Sequence, residues 1–502
     1  MTIPQNIHNI HNIHNIRSVN LPMILKVTGW LLLIEATFML IPAVTALSYG
    51  EKDAWPFLFC VAATALCGVL MRCIRPRYKQ MGRREGFLIT SSVWIWFSLF
   101  GMLPFIFGSP HYSVSDAFFE AMSGFTTTGA TIMKNHMQLS HGMNIWRAEM
   151  QWLGGMGIIL FTLAVLPMLN SAGGMQMFNA EATGITHDKV HPRISSTAKA
   201  LWGTYLALTI LEIVCLWLGP MDLFESICYT FSSISTGGFS CTYRSLGDFA
   251  SDYVYIILII FMFLGGVNFA LIFKAVTHNP KEIWKNEIFR IFIFTLLAFY
   301  ILMVIEVLRD TPLSGLTWQS LTIYPLFQVL ATITSTGLDS GVWIWWSSFA
   351  IAISMVMMFV GSCAGSTSGG AKIDRMTFLL KHLSNELVRI IRPNAVLSVR
   401  VNKKVQSPTL VDKVTAFMCI YVLLIAVGCL ALTMYDVPPI DALFDALSCV
   451  SNTGLSAEVT GMGTTFEILP DVTKWILSML MLIGRLELFS VLVIFTRPFW
   501  SK

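Results

Sequence analysis

Charge is what this sequence has least of. Aspartate, glutamate, lysine and arginine make up 12% of its 502 residues, against 55% hydrophobic. An average soluble domain carries about 25% charge, so a water-exposed globular fold is excluded. Cysteine is sparse too. The ten cysteines are scattered and read as small buried apolar residues, not as a disulfide framework. No basic segment followed by a short apolar core and a small-residue cleavage site opens the chain, so a cleaved signal peptide is not expected. The apolar spans hold no His-x-x-x-His helix, and no glycine-rich nucleotide fingerprint follows a strand. These absences speak against a membrane-embedded enzyme, against a directly bound cofactor and against nucleic acid as a partner.

What is present is a series of apolar runs, several of about 20 residues, the length that crosses a lipid bilayer. Ten spans are expected: about 21–47, 55–69, 87–107, 145–169, 200–218, 253–276, 288–307, 344–380, 414–434 and 475–495. Lysine and arginine cluster in alternate connections, such as Arg72, Arg75, Arg77, Lys79, Arg83 and Arg84, and again from Lys381 to Lys413. The positive-inside rule places these connections, and both termini, in the cytoplasm. The outward connections near the last spans carry Asp436, Asp441, Asp445, Glu458, Glu467 and Asp471, a mouth that would concentrate cations. The leader repeats Asn-Ile-His, with His8, His11 and His14 at helical spacing; it reads as low complexity more readily than as a metal site.

The outward connections repeat a pattern. Each holds an apolar segment too short to span, ending in Thr-Gly: Thr128-Gly129, Thr236-Gly237, Thr336-Gly337 and Thr453-Gly454. The first and fourth copies match from Asp116 and Asp441 onward; the second is the most diverged. Internal repeats fix architecture, and four hairpins of span, short helix, turn and span around an axis would make one pore. A short helix entering the membrane brings its partly negative carbonyl end inward. Glycine lets carbonyls line a path and threonine adds a second oxygen. Four such turns, with Thr127, Ser235, Ser335 and Asn452 preceding the Thr-Gly pairs, would form rings of neutral oxygen, as in a potassium-selective filter. Calcium or magnesium would want carboxylates. Thr128, Thr236, Thr336 and Thr453 are thus candidate ligands of transported K+. Glu120 and Asp445 are expected at the starts of their short helices.

The eighth run is interrupted by Gly361-Ser362-Cys363-Ala364-Gly365-Ser366-Thr367-Ser368-Gly369-Gly370. Irregular backbone at membrane depth is tolerated only where protein buries it or it lines a wet cavity. Gly361, Gly365, Ser366, Thr367, Ser368, Gly369 and Gly370 are therefore candidates for a gate. Arg485 lies inside the last apolar run, where a charge faces the bundle interior or a polar path. It is expected either to set a positive charge beneath the oxygen rings or to anchor the irregular stretch through its carbonyls.

Taken together, the four turns, Gly154–Gly157, Gly361–Lys372 and Gly484–Phe489 resemble the Trk/Ktr/HKT superfamily of potassium and sodium uptake proteins, and within it the TrkH/TrkG type of bacterial membrane subunit, from about Leu21 onward. The resemblance implies an all-α polytopic membrane protein: four pseudo-symmetric membrane–pore-loop–membrane repeats around one pore, preceded by two additional transmembrane helices. The expected division is a leader at 1–20, a two-helix hairpin at 21–80, and repeats at 81–175, 176–280, 281–400 and 401–502. The family's filter glycines correspond to Gly129, Gly237, Gly337 and Gly454. A serine at the first goes with sodium transport in plant-type members, so Gly129 implies potassium. The family's gate elements correspond to Gly361–Gly370 and Arg485. A homodimer in the inner membrane of a bacterium, regulated by a cytoplasmic nucleotide-binding ring protein that binds NAD and ATP, is further implied. Gated, downhill potassium uptake is the expected function; a symporter coupling potassium to sodium or protons, with Glu212 and Glu306 as relay candidates, is the alternative.

Overall fold

The computed structural model describes residues 19–76, 82–133, 139–155, 157, 194–242, 246, 249, 251–277, 279–310, 316–339, 347–456 and 466–500. The histidine-bearing leader and the second half of the run at 145–169 lie outside these residues.

The fold is helical. A leading hairpin pairs α1 (Leu21–Phe38) and α2 (Leu40–Ser48) with α3 (Ala54–Arg72). There Gly29 and Gly68 sit so close that a Cβ on Gly29 would lie 2.7 Å from the Gly68 carbonyl oxygen. Small residues let membrane helices approach in this way. Next come α4 (Arg83–Gly101), α5 (Leu103–Phe107), α6 (Val114–Phe125) and α7 (His141–Gly155). The second group is α8 (Ile194–Trp217), α9 (Leu223–Ile234), α10 (Asp252–Gly266) and α11 (Phe269–Thr277). A third comprises α12 (Glu287–Asp310), α13 (Ile323–Ile333), α14 (Ser348–Val360) and α15 (Ile373–Ile391). The last is α16 (Pro408–Thr433), α17 (Pro439–Val450), α18 (Asp471–Arg485) and α19 (Phe489–Leu492). The one small sheet among the described residues is a hairpin of β1 (Arg400–Val401) and β2 (Lys404–Val405), turned by Asn402 and Lys403 at φ of 51° and 64°. Such a turn needs positive φ at both central residues.

Among the described residues, six helices are long and apolar enough to cross a membrane, or eight if each of two bent pairs counts as one span. The bends correct the expectation of a single interrupted run. Helix α10 turns by 102° into α11, and α18 by 107° into Phe489–Phe495. Helix α7 ends at Gly155, and α14 ends at Val360 before the expected break. Hydropathy does not record a change of chain direction, so only the backbone reveals the two bends. The outer walls expose large apolar side chains, such as Phe294, Leu297 and Ile301 on α12 and Leu423 and Leu430 on α16, a surface suited to lipid.

The short helices are the inner elements. Their N-termini are well signalled: Ser113 caps α6 by accepting from the Asp116 N–H at 3.1 Å, Asp222 and Glu225 form a capping box on α9, and Pro439 opens α17. Almost every residue of α6 from Ala117 on is buried, and α13 and α17 are similarly enclosed.

Candidate functional site

Each of the four short helices runs into a turn of the same shape. Thr127, Thr236, Ser335 and Asn452 have φ of 54°, 56°, 54° and 54°. Two residues on, Gly129, Gly238, Gly337 and Gly454 have φ of 81°, 85°, 68° and 75°. The N–H of each residue in the first set bonds back three residues, to Gly124, Ser233, Thr332 and Cys449. The turns also meet in a closed cycle. A Cβ on Gly129 would lie 2.0 Å from the Gly237 oxygen; on Gly238, 2.0 Å from Thr336 O; on Gly337, 2.0 Å from Thr453 O; on Gly454, 2.0 Å from Thr128 O. Every turn therefore lays its glycine against a carbonyl of the next, and the fourth closes on the first.

This geometry corrects the register of the second turn. Thr236-Gly237 is not equivalent to Thr128-Gly129: Thr236 holds the place of Thr127, Ser235 that of Thr126, Gly237 that of Thr128, and Gly238 is the ring glycine. Helices α6 and α9 are both 12 residues long, so part of the second copy's apparent divergence comes from its Gly-Gly pair, which permits two alignments.

The hydroxyls form a second layer. Thr126 and Thr128 pair at 2.8 Å, Thr334 and Thr336 at 2.7 Å, and Ser451 and Thr453 at 2.9 Å. Asn452 Nδ2 donates to Thr128 Oγ1 at 3.0 Å, joining the last turn to the first. Thr128, Thr236, Thr336 and Thr453 are all fully buried.

Glu120 and Asp445 lie midway along α6 and α17 and not at their starts. They brace the chain beyond the turns: Glu120 accepts from Thr131 Oγ1 and the Ile132 N–H, and Asp445 from Ser456 Oγ at 3.0 Å. Tyr229 takes the same place in the second copy, with its hydroxyl 2.8 Å from Ser240 Oγ. Asp441 and Asp445, expected at an exposed mouth, are buried.

The irregular stretch lies under this ring and touches three of its turns. Thr367 Oγ1 reaches Ile234 O at 3.2 Å, the Gly369 N–H donates to Ser335 Oγ at 2.7 Å, and the Gly370 N–H donates to Ser451 O at 2.9 Å. Gly361, Gly365 and Gly370 have φ of 68°, 78° and 75°, which explains their residue type. Ser366 bonds Cys363 O, and Ser368 Oγ lies 3.2 Å from Ser335 Oγ. Arg485 donates to Thr367 O at 2.9 Å, to Gly154 O at 2.5 Å and to Gly155 O at 3.0 Å. It thus anchors the stretch through a carbonyl and joins it to the end of α7. Nearby, Glu487 pairs with Lys372 at 3.0 Å and also with Arg375.

Two residues of α7, Arg147 and Gln151, were not found by sequence reasoning. With Gly155 they recur every four residues, the spacing of one helix face; that is the signal that could have found them. Arg147 bonds Glu120 and Ser240 O, and Gln151 bonds Gly237 O. Of the relay candidates, Glu212 bonds Ser233, and Glu306 lies 3.7 Å from Arg309.

A helical bundle with broken spans, closed around a ring of four buried helix–turn segments, is the build of a multi-pass membrane protein with one shared central site. The family model described as cation transport protein, TrkH, matches residues 57–501. The Trk system potassium uptake protein TrkH of Escherichia coli K12 is 36% identical over 95% of this chain and 99% of its own. The TrkG protein of the same strain is 30% identical over 94% and 97%. The crystal structure of the potassium transporter TrkH from Vibrio parahaemolyticus superposes with a TM-score of 0.86, 33% identity, and coverage of 96% of this chain and 100% of that one. The chain belongs to the TrkH family of cation transport proteins.

Proposed function

We propose that this chain is the potassium-conducting membrane subunit of a Trk-type uptake system, passing K+ into the cell down its electrochemical gradient. The observation that carries the reading is the closed cycle of four turns, each presenting backbone and hydroxyl oxygens and no carboxylate. Neutral oxygens suit a large monovalent cation that gives up its hydration cheaply. The selectivity ring is then Thr127–Gly129, Thr236–Gly238, Ser335–Gly337 and Asn452–Gly454. An inside-negative potential supplies about 2.3 kcal/mol per elementary charge per 100 mV, so no reaction need be catalysed. The four groups of helices act as four units around one pore, behind the leading hairpin.

Gly361–Gly370 and Arg485 serve as the gate in this reading, since the stretch lies against three ring turns and Arg485 bonds it to the end of α7. The subunit sits in a bacterial inner membrane with both termini inside. It works as a homodimer, regulated through its basic cytoplasmic loops by a nucleotide-binding partner. The relatives' names support membership of a multi-component potassium uptake system.

The test is cation flux through the purified protein in liposomes, with Thr336→Ala as the ring variant. The reading expects K+ flux in the wild type and a raised Na+/K+ flux ratio in the variant. An unchanged ratio would remove the ring from selectivity.

A further inference from the structure

We propose that Gln151 is a specificity-determining positioning residue, its side chain standing in from α7 for the threonine that the second turn lacks. The inference rests on the ring reading above. In three turns the residue before the ring glycine is a threonine whose hydroxyl pairs with the hydroxyl two residues earlier. In the second turn that place is Gly237, so the Ser235 hydroxyl makes the bond back to its own helix, to Phe231 O, that Thr126 and Thr334 also make, but has no hydroxyl two residues on to pair with.

Gln151 fills the vacancy. It is fully buried; its Nε2 donates to Gly237 O at 2.7 Å and its Oε1 accepts from the Phe239 N–H at 3.2 Å. One amide therefore brackets the ring glycine, Gly238, from both sides. The Gly237 oxygen is also the one against which Gly129 of the first turn is laid. Holding it fixes the joint between two quarters of the ring. The exchange of side chains is reciprocal in space. A Cβ on Gly237 would lie 2.4 Å from Gln151 Cδ, 2.6 Å from Oε1 and 2.8 Å from Cγ. A threonine at 237 and a glutamine at 151 exclude one another. A ring discriminates between ions by the number and placement of its oxygens. Freeing one carbonyl should therefore loosen discrimination before it stops conduction.

The experiment measures the Na+/K+ flux ratio in liposomes for monodisperse wild type, Gln151→Met, Gln151→Ala, Gly237→Thr, the pair Gln151→Ala with Gly237→Thr, and Thr336→Ala. Gln151→Met keeps the side-chain length and loses both hydrogen bonds. It is expected to raise the ratio about threefold to tenfold, the worth of one or two such bonds. Gly237→Thr alone is expected to lose K+ flux. The pair is expected to return the ratio to within about twofold of wild type, the non-additivity of residues that share one space. A wild-type ratio in Gln151→Met, or a pair no better than Gln151→Ala, overturns the inference; if the paired variant does not fold, Gln151→Met decides. Thr336→Ala separates the two claims. If it shifts the ratio and Gln151→Met does not, the ring stands and the role of Gln151 falls. If neither shifts it, the ring reading itself falls.

Discussion

Arg147 donates its Nε to Glu120 Oε1 at 2.8 Å, and the two side chains are 1% and 0% exposed. The same guanidinium reaches Thr131 Oγ1 at 3.1 Å and Ser240 O at 3.0 Å, and lies over the Phe239 ring. One cation thus ties the segment beyond the first turn to that beyond the second. Breaking a buried pair from one side strands the other charge, at about 3–5 kcal/mol. Arg147→Met is expected to lower the thermal unfolding midpoint in detergent, and adding Glu120→Gln to recover part of the loss. A single variant as stable as wild type would contradict this account of the pair.

The register of the second turn gives a sharp contrast between neighbouring glycines. At Gly238 a methyl group would meet the Thr336 backbone oxygen, in a left-handed conformation that L residues enter at a cost of about 1–2 kcal/mol. At Gly237 it would meet the Gln151 side chain. Gly238→Ala is expected to abolish K+ flux, whereas Gly237→Ala should retain a measurable fraction. The reverse order would restore Thr236-Gly237 as the equivalent pair.

Arg485 holds three carbonyls belonging to two separate parts of the chain. If the irregular stretch is the gate, releasing it should favour the open form. Hydrogen bonds from a charged donor contribute about 1.5–3 kcal/mol each, so Arg485→Ala is expected to raise K+ flux about tenfold or more. Arg485→Lys, with a single point charge in place of the fork, should fall between. Reduced flux through well-folded Arg485→Ala would make the residue a structural tie.

Glu487 joins Lys372 and Arg375, which flank the start of α15, to the bend after α18. Glu487 and Leu488 have φ of 51° and 62°, so the bend is itself strained. Glu487→Gln removes the charge that two cations face. It is expected to destabilise the protein and to increase flux, since both breaks are loosened together. Unchanged stability and flux would show that the triad is not coupled to the proposed gate.

Much of this was legible in the sequence, and the reasons differ by element. The turns announced themselves because Thr-Gly recurs in each outward connection. The interruption at 361–370 showed because glycine and hydroxyl residues replace apolar ones. The bends at Val267-Asn268 and Leu486–Leu488 did not show, because hydropathy records composition along the chain and not its direction. The second turn is ambiguous in sequence because Gly237-Gly238 permits two alignments, and only positive φ at Thr236 and Gly238 selects one. The expectation that Glu120 and Asp445 open their short helices fails because those helices start several residues before them.

The most direct measurement is flux through the wild-type protein in liposomes, with potassium and sodium gradients set separately and the membrane potential clamped. The account predicts that K+ passes far better than Na+ and follows its own electrochemical gradient, with no requirement for a second ion. Equal passage of both ions would contradict the ring of neutral oxygens, and K+ movement only in the presence of a sodium or proton gradient would contradict downhill conduction.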